Sequence, residues 1–223
     1  MWVKICGNTN LDDALLAADA GVDAVGFVFA ASPRQVTAEQ VRAIVPHLPA
    51  SLEKYGVFVE PALDELIGTL EESGLTGVQL HTSNDPDLPR KLREHFGRRL
   101  GILRVIHYQQ DLAAQLQAAQ AEDDIDGVLV DSRTATQVGG TGLRFDWQAA
   151  REGFLGASGR RLIAAGGLNA GNVAEAIATL RPWGVDVSSG VEVSAGRKDA
   201  EKVTAFVTNA RLAAEKLRAV AVG

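Results

Sequence analysis

Cysteine is nearly absent. The 223-residue chain has one, Cys6, which excludes a disulfide framework and any multi-cysteine metal site. Four histidines, His47, His81, His95 and His107, form neither an HExxH pattern nor a ligand-like cluster, so no metal is expected. Basic residues are outnumbered, 22 against 28 acidic ones, for a formal charge of −6. General nucleic-acid binding needs a basic face, and this balance argues against it. No apolar run approaches the ~20 residues of a membrane span. The N-terminus turns strand-like at once without a basic leader, so no signal peptide is expected. Pro/Gly/Ser-rich linkers are also missing. What remains is a soluble cytoplasmic domain, and 46% hydrophobic residues suffice for a substantial core.

Short, β-branched apolar runs alternate with amphipathic stretches along the whole chain. The strand-like runs are Trp2–Gly7, Ala24–Phe29, Lys54–Val59, Gly77–His81, Gly101–Ile106, Gly127–Ser132, Leu162–Gly167 and Gly184–Gly190. Several are apolar at both parities, as strands covered on both faces must be. Between them lie helical patterns. Leu11, Leu15, Leu16 and Val22 recur at helical spacing, with Thr9 or Asn10 to cap and Gly21 to end. Thr37 with Gln40 completes a capping-box pattern. Pro61–Gly74, Pro86–Phe96, Asp111–Glu122, Phe145–Phe154, Asn169–Leu180 and Asp199–Ala219 supply the others, the last followed by a mobile-looking Ala-Val-Ala-Val-Gly tail. Successive strand onsets are 22 to 35 residues apart. Eight βα units in a chain of this length predict an α/β fold, a single-domain (β/α)8 TIM barrel over residues 1–223. The rival, an open doubly wound sheet, lacks its GxGxxG after the first strand.

A barrel places its chemistry at the C-terminal strand ends and the loops beyond. Gly166-Gly167 follows the seventh strand and Ser188-Ser189-Gly190 the eighth. These two positions commonly bind phosphate in barrels, through backbone N–H groups and a helix end. Asp131 closes Val128-Leu129-Val130-Asp131, a place suited to a general acid or base; the plainer alternative is a cap or an ion-pair partner. Cys6 closes Val3-Lys4-Ile5-Cys6. Alone it reads as a small buried hydrophobe; in a barrel it shares the mouth with Asp131, and the two could move protons on either side of a bound sugar. Arg34 could clamp a carboxylate through its planar fork. His81 is open between a structural and a catalytic role, and Lys4 between a buried ion pair and the mouth. Gly139-Gly140-Thr141-Gly142 reads as a loop that closes over ligand, with Thr141 as a hydroxyl donor. Trp2, Trp147 and Trp183 read as packing residues.

The segment Lys4-Ile5-Cys6-Gly7-Asn8-Thr9 resembles the opening of the phosphoribosylanthranilate isomerase family. The resemblance continues through Gly26-Phe27-Val28-Phe29, Ser32-Pro33-Arg34, Gly56-Val57-Phe58-Val59, Val78-Gln79-Leu80-His81 and Val130-Asp131-Ser132. It extends over Gly139–Gly142, Ala165-Gly166-Gly167-Leu168 and Gly184–Glu192, essentially the whole chain. It implies a cofactor-independent Amadori rearrangement of a phosphorylated sugar-anthranilate in tryptophan biosynthesis, with no obligate protein partner. By resemblance Asp131 is the general acid at the ribose ring oxygen and Cys6 the general base at sugar C2. Arg34 would hold the anthranilate carboxylate and Asp186 would lie near the sugar hydroxyls. Gln79, His81, Gly140 and Thr141 would complete the substrate site. Gly166, Gly167, Ser188, Ser189 and Gly190 would hold phosphate. The related histidine-pathway isomerases carry aspartate where Cys6 stands, and a non-catalytic barrel would have no need of both Cys6 and Asp131.

Overall fold

The β-branched runs become strands because their branched side chains pack well on a pleated surface. They are β1 Trp2–Ile5, β2 Ala24–Val28, β3 Glu53–Val59, β4 Gly77–His81, β5 Gly101–His107, β6 Gly127–Asp131, β7 Arg161–Ala164 and β8 Gly184–Val187. Each pairs in parallel with the next, and β8 pairs with β1 to close the barrel. The computed structural model describes residues 1–81, 84–108, 111–131, 146–157 and 159–222. Around the barrel lie α1 Leu11–Asp19, α2 Ala38–Ile44, α3 Leu63–Ser73, α4 Leu88–Phe96, α5 Leu112–Gln120, α6 Trp147–Gly156, α7 Val173–Leu180 and α8 Ala200–Val222. This is the expected (β/α)8 architecture. Among the described residues no helix is long and apolar enough to cross a membrane.

Two-residue alternation along each strand divides the core into two layers. Val3, Ile5, Val25, Phe27, Val78, Leu80, Val128 and Val130 face the helices in one cluster. Trp2, Ala24, Tyr55, Leu103, Val105, Leu129, Ile163 and Ala165 form the other, inside the barrel. The same parity turns Lys4, Cys6, Gln79, His81, His107, Asp131 and Asp186 inward. The bottom of the interior is filled by rings. Trp2 and Tyr55 meet edge to face at 6.1 Å. A Cβ at Gly77 would lie 2.3 Å from the Tyr55 ring, and one at Gly184 2.8 Å from Trp2. These bare positions therefore let two large rings close the bottom, and the polar inward residues are left for the other end.

The helix starts follow the anticipated caps. Asn10 accepts from the Asp13 N–H, and Thr37 with Gln40 forms the full capping box. Two ends differ. The stretch expected to be helical from Asn169 is a turn until Val173, because side chains compete for its backbone. Asn172 Oδ1 accepts from Asn169 N (2.8 Å), and Asn172 Nδ2 donates to the Gly167 carbonyl (2.9 Å). The last helix runs to Val222 through the supposed mobile tail, whose alternating alanines favour helix. Phe145 lies outside the described residues, and α6 starts at Trp147 with Asp146 accepting from Ala149 N. A short hairpin, β9 Glu192–Ser194 and β10 Arg197–Lys198, was not anticipated. It is pinned to the loop after β1 by Thr9 Oγ1, which donates to the Gly196 carbonyl (2.7 Å). Trp2 and Trp147 are buried as expected. Trp183 is partly exposed, stacked on Trp2 at 5.3 Å with the Arg161 guanidinium above it.

Candidate active site

Cys6 extends β1 by one residue, its N–H donating to the Val187 carbonyl of β8 (2.8 Å). It is buried. A Cβ at Gly26, on the neighbouring strand, would lie 2.7 Å from Cys6 Sγ and 3.1 Å from Lys4 Cε. Glycine at 26 thus leaves the space into which the thiol and the lysine stem both project. The next residue, Gly7, has φ +76°, a conformation other residues adopt only under strain. A side chain there would also strike Arg34 Cδ at 2.6 Å and Ser188 Oγ at 2.8 Å. Cys6, Arg34 and Ser188 therefore converge around Gly7.

Arg34 does not reach into the mouth unsupported. Its Nε donates to Glu192 Oε1 (2.9 Å) and its Nη2 to Glu192 Oε2 (2.6 Å), a fork-to-fork pair. Lys198 Nζ donates to the same Glu192 Oε1 (2.9 Å) and to the Cys6 carbonyl (2.5 Å). Burial alone would favour a neutral Glu192, but the bonds from Arg34 and Lys198 outweigh it and hold the carboxyl below the usual glutamate value. In Lys198 burial wins, and its pKa is lowered despite Glu192. One carboxylate on the hairpin thus fixes the guanidinium while its second partner supports the backbone of Cys6. Glu192 and Lys198 were not singled out from the sequence; the only signal was Glu192 at the end of the Gly184–Glu192 motif.

Lys4 is fully buried inside the barrel. Its Nζ donates to Asp186 Oδ1 and to Gln79 Oε1, each at 2.9 Å. Burial disfavours its charge, but Asp186 and the Cys6 thiol more than compensate and hold the pKa above its ordinary value. The choice left open for Lys4 resolves to the buried ion pair, beneath the mouth. Gln79 is 4% exposed, with its other amide end 3.2 Å from His81 Nε2. The His81 ring in turn packs on His107, centroids 5.5 Å apart. His107, which the sequence did not mark, stands in register with Asp131. Asp131 is 3% exposed at the end of β6.

After β7, Gly166 and Gly167 both take positive φ, +82° and +64°. After β8, Ser189–Val191 forms one 3₁₀ turn. A Cβ at Gly190 would fall 1.9 Å from the Leu168 carbonyl oxygen, so the two loops are in contact. Gly166, Gly167, Ser188, Ser189 and Gly190 are all partly exposed. The structure thus brings Cys6, Arg34, Gln79, His81, Asp131, Asp186 and both glycine loops to one end of the barrel. Gly140 and Thr141 lie outside the described residues.

Residues 3–209 match the family model for N-(5'-phosphoribosyl)anthranilate (PRA) isomerase. The chain belongs to this isomerase family. A PRA isomerase of Acidithiobacillus ferrooxidans is 44% identical over 94% of this chain and 97% of its own length. The Thermotoga maritima PRA isomerase structure superposes with a TM-score of 0.80 at 36% identity, covering 95% of this chain and 98% of the other. A second PRA isomerase structure, 34% identical with a TM-score of 0.78 and the same coverage, holds reduced 1-(o-carboxyphenylamino)-1-deoxyribulose 5-phosphate. Family members thus share this barrel over nearly its whole length, and one has a phosphorylated product analogue bound.

Proposed function

We propose that the chain isomerises N-(5'-phosphoribosyl)anthranilate to 1-(2-carboxyphenylamino)-1-deoxyribulose 5-phosphate in tryptophan biosynthesis, as its family name implies. The observation that carries the reading is the inward placement of Cys6 and Asp131 at the same end of the closed barrel, on β1 and β6. Asp131 protonates the ribose ring oxygen as the C1–O bond breaks, and the anthranilate nitrogen lone pair forms C1=N. Cys6, as thiolate, removes the C2 proton; the C–H electrons form C1=C2 and return those of C1=N to nitrogen. The enolamine then takes a proton at C1 while its C2 hydroxyl gives one up, and it becomes the C2 ketone. Thiol and carboxyl each contribute through general acid–base catalysis.

Arg34, with Nε and Nη2 held by Glu192, offers its remaining Nη1 edge to the anthranilate carboxylate. Asp186 serves the sugar hydroxyls, and His81, Gly140 and Thr141 line the substrate. Backbone N–H groups of Gly166, Gly167, Ser188, Ser189 and Gly190 receive the phosphate, which suits an anionic ligand on a chain of net charge −6. The same reading takes residues 1–223 as one domain working in the cytoplasm without cofactor, metal or obligate partner. Steady-state kinetics on the anthranilate substrate and the histidine-pathway aminoimidazole substrate test it. Turnover of the first without added metal or nucleotide is expected; no turnover at any pH would overturn it.

A further inference from the structure

We propose that Gln79 is a positioning residue: oriented by the Lys4 ammonium, its amide holds His81 as a neutral imidazole with the proton on Nδ1. An ammonium has donors only, so the Gln79 atom 2.9 Å from Lys4 Nζ is the carbonyl oxygen. Asp186, the other partner of this ammonium, keeps it charged inside the barrel. With Oε1 committed, the amide nitrogen faces His81 Nε2 at 3.2 Å. That nitrogen only donates, so His81 Nε2 must accept. An imidazolium has no acceptor, and the Nε2–H tautomer has none at this atom. The Nδ1–H tautomer alone fits, the form that is the minor one in unconstrained histidine.

The charge order Asp186, Lys4, Gln79, His81 therefore crosses the barrel from β8 through β1 to β4 and sets a proton position at the mouth. The ring packs on His107 of β5, and Asp131 of β6 stands in register with His107. From the loop after β3 comes Glu60, whose backbone N–H donates to the His81 carbonyl (2.9 Å). An imidazolium among these groups would favour the carboxylate form of Asp131. A neutral His81 leaves the acid able to keep the proton it delivers. This last step rests on the proposed acid role of Asp131; the tautomer does not.

The test is a two-bond ¹H–¹⁵N correlation spectrum of ¹⁵N-histidine protein at neutral pH, with His81 assigned by His81→Gln. The wild-type ring is expected to show a protonated Nδ1 and a bare Nε2. Gln79→Glu replaces the donor by an acceptor, so Nε2 should become protonated and kcat should fall on the order of tenfold, a part of what acid–base catalysis supplies. A wild-type ring protonated at Nε2, or at both nitrogens, overturns the proposal, whether or not Gln79→Glu folds. An unchanged tautomer in Gln79→Glu overturns it too, as does a changed tautomer with unchanged kcat. Absence of turnover in the wild type would instead overturn the isomerase reading and leave the tautomer assignment standing on its spectrum.

Discussion

Where β8 meets β1, three buried cations and two carboxylates interlock: Lys4 with Asp186, and Arg34 and Lys198 with Glu192. Across the mouth, β4 to β6 present two imidazoles and Asp131, and among the described residues of these strands no lysine or arginine turns inward. The first side is built of charge-assisted bonds that fix atoms in place. The second is built of groups whose proton can move. The thiol proposed as base sits among cations, and the carboxyl proposed as acid sits beside His107 and His81. The separation follows from placing opposite proton-transfer tasks on opposite walls of one interior.

The comparison can be broken most severely at the two ends of proton transfer. Cys6→Ala and Asp131→Ala should each lower kcat by about 10²–10⁴-fold with little change in KM, read from initial rates. Near-normal kcat in either would remove that side's assigned role. Next in size is the structural asymmetry. Glu192→Ala leaves Arg34 and Lys198 buried without their shared carboxylate and should cost about 3–5 kcal/mol in urea unfolding. His107→Ala, on the β5 wall, should cost less, since it leaves no buried ion-pair partner stranded. Equal losses would mean the two sides are not built differently.

Arg34→Ala should raise KM for the anthranilate substrate more than it lowers kcat, as the proposed carboxylate clamp requires. A substrate analogue lacking the carboxylate should be insensitive to the change. The smallest effect concerns pH. Glu192 has its pKa lowered in the folded state, so its contribution is fully present above the usual glutamate range and is lost as pH falls through the lowered value. Lys4 has its pKa raised, so its contribution is present below the usual lysine range and is lost as pH rises through the raised value. Unfolding free energies at stepped pH should therefore show an acid limb that Glu192→Gln flattens and a separate alkaline limb from Lys4.

Strand order, caps and parity were legible because each rests on neighbours in the chain. Val3 and Ile5 outward fix Lys4 and Cys6 inward, and Thr37 finds Gln40 three residues on. Gly166-Gly167 and Ser188–Gly190 were legible because a barrel assigns those loops a place. Glu192 and Lys198 were not, since their partners Arg34 and Cys6 lie 158 and 192 residues away. The helix expected from Asn169 failed for a local reason, the Asn169 and Asn172 side chains competing with the helix for the backbone groups of Gly171, Asn169 and Gly167. The hairpin that carries Glu192 and Lys198 is short and polar, with no apolar alternation to announce it.

The scarcity of cysteine, the eight apolar runs and their spacing determined by themselves a (β/α)8 barrel with its lone thiol and Asp131 at strand ends. They determine it because backbone periodicity and burial act over a few residues at a time. Which amide faces Lys4, which nitrogen of His81 keeps its proton and which carboxylate steadies Arg34 was decided only when the barrel closed. Closure brings β8 against β1 and sets Asp186, Lys4 and Gln79 within hydrogen-bonding distance, and in a buried interior the donors and acceptors must then match one to one.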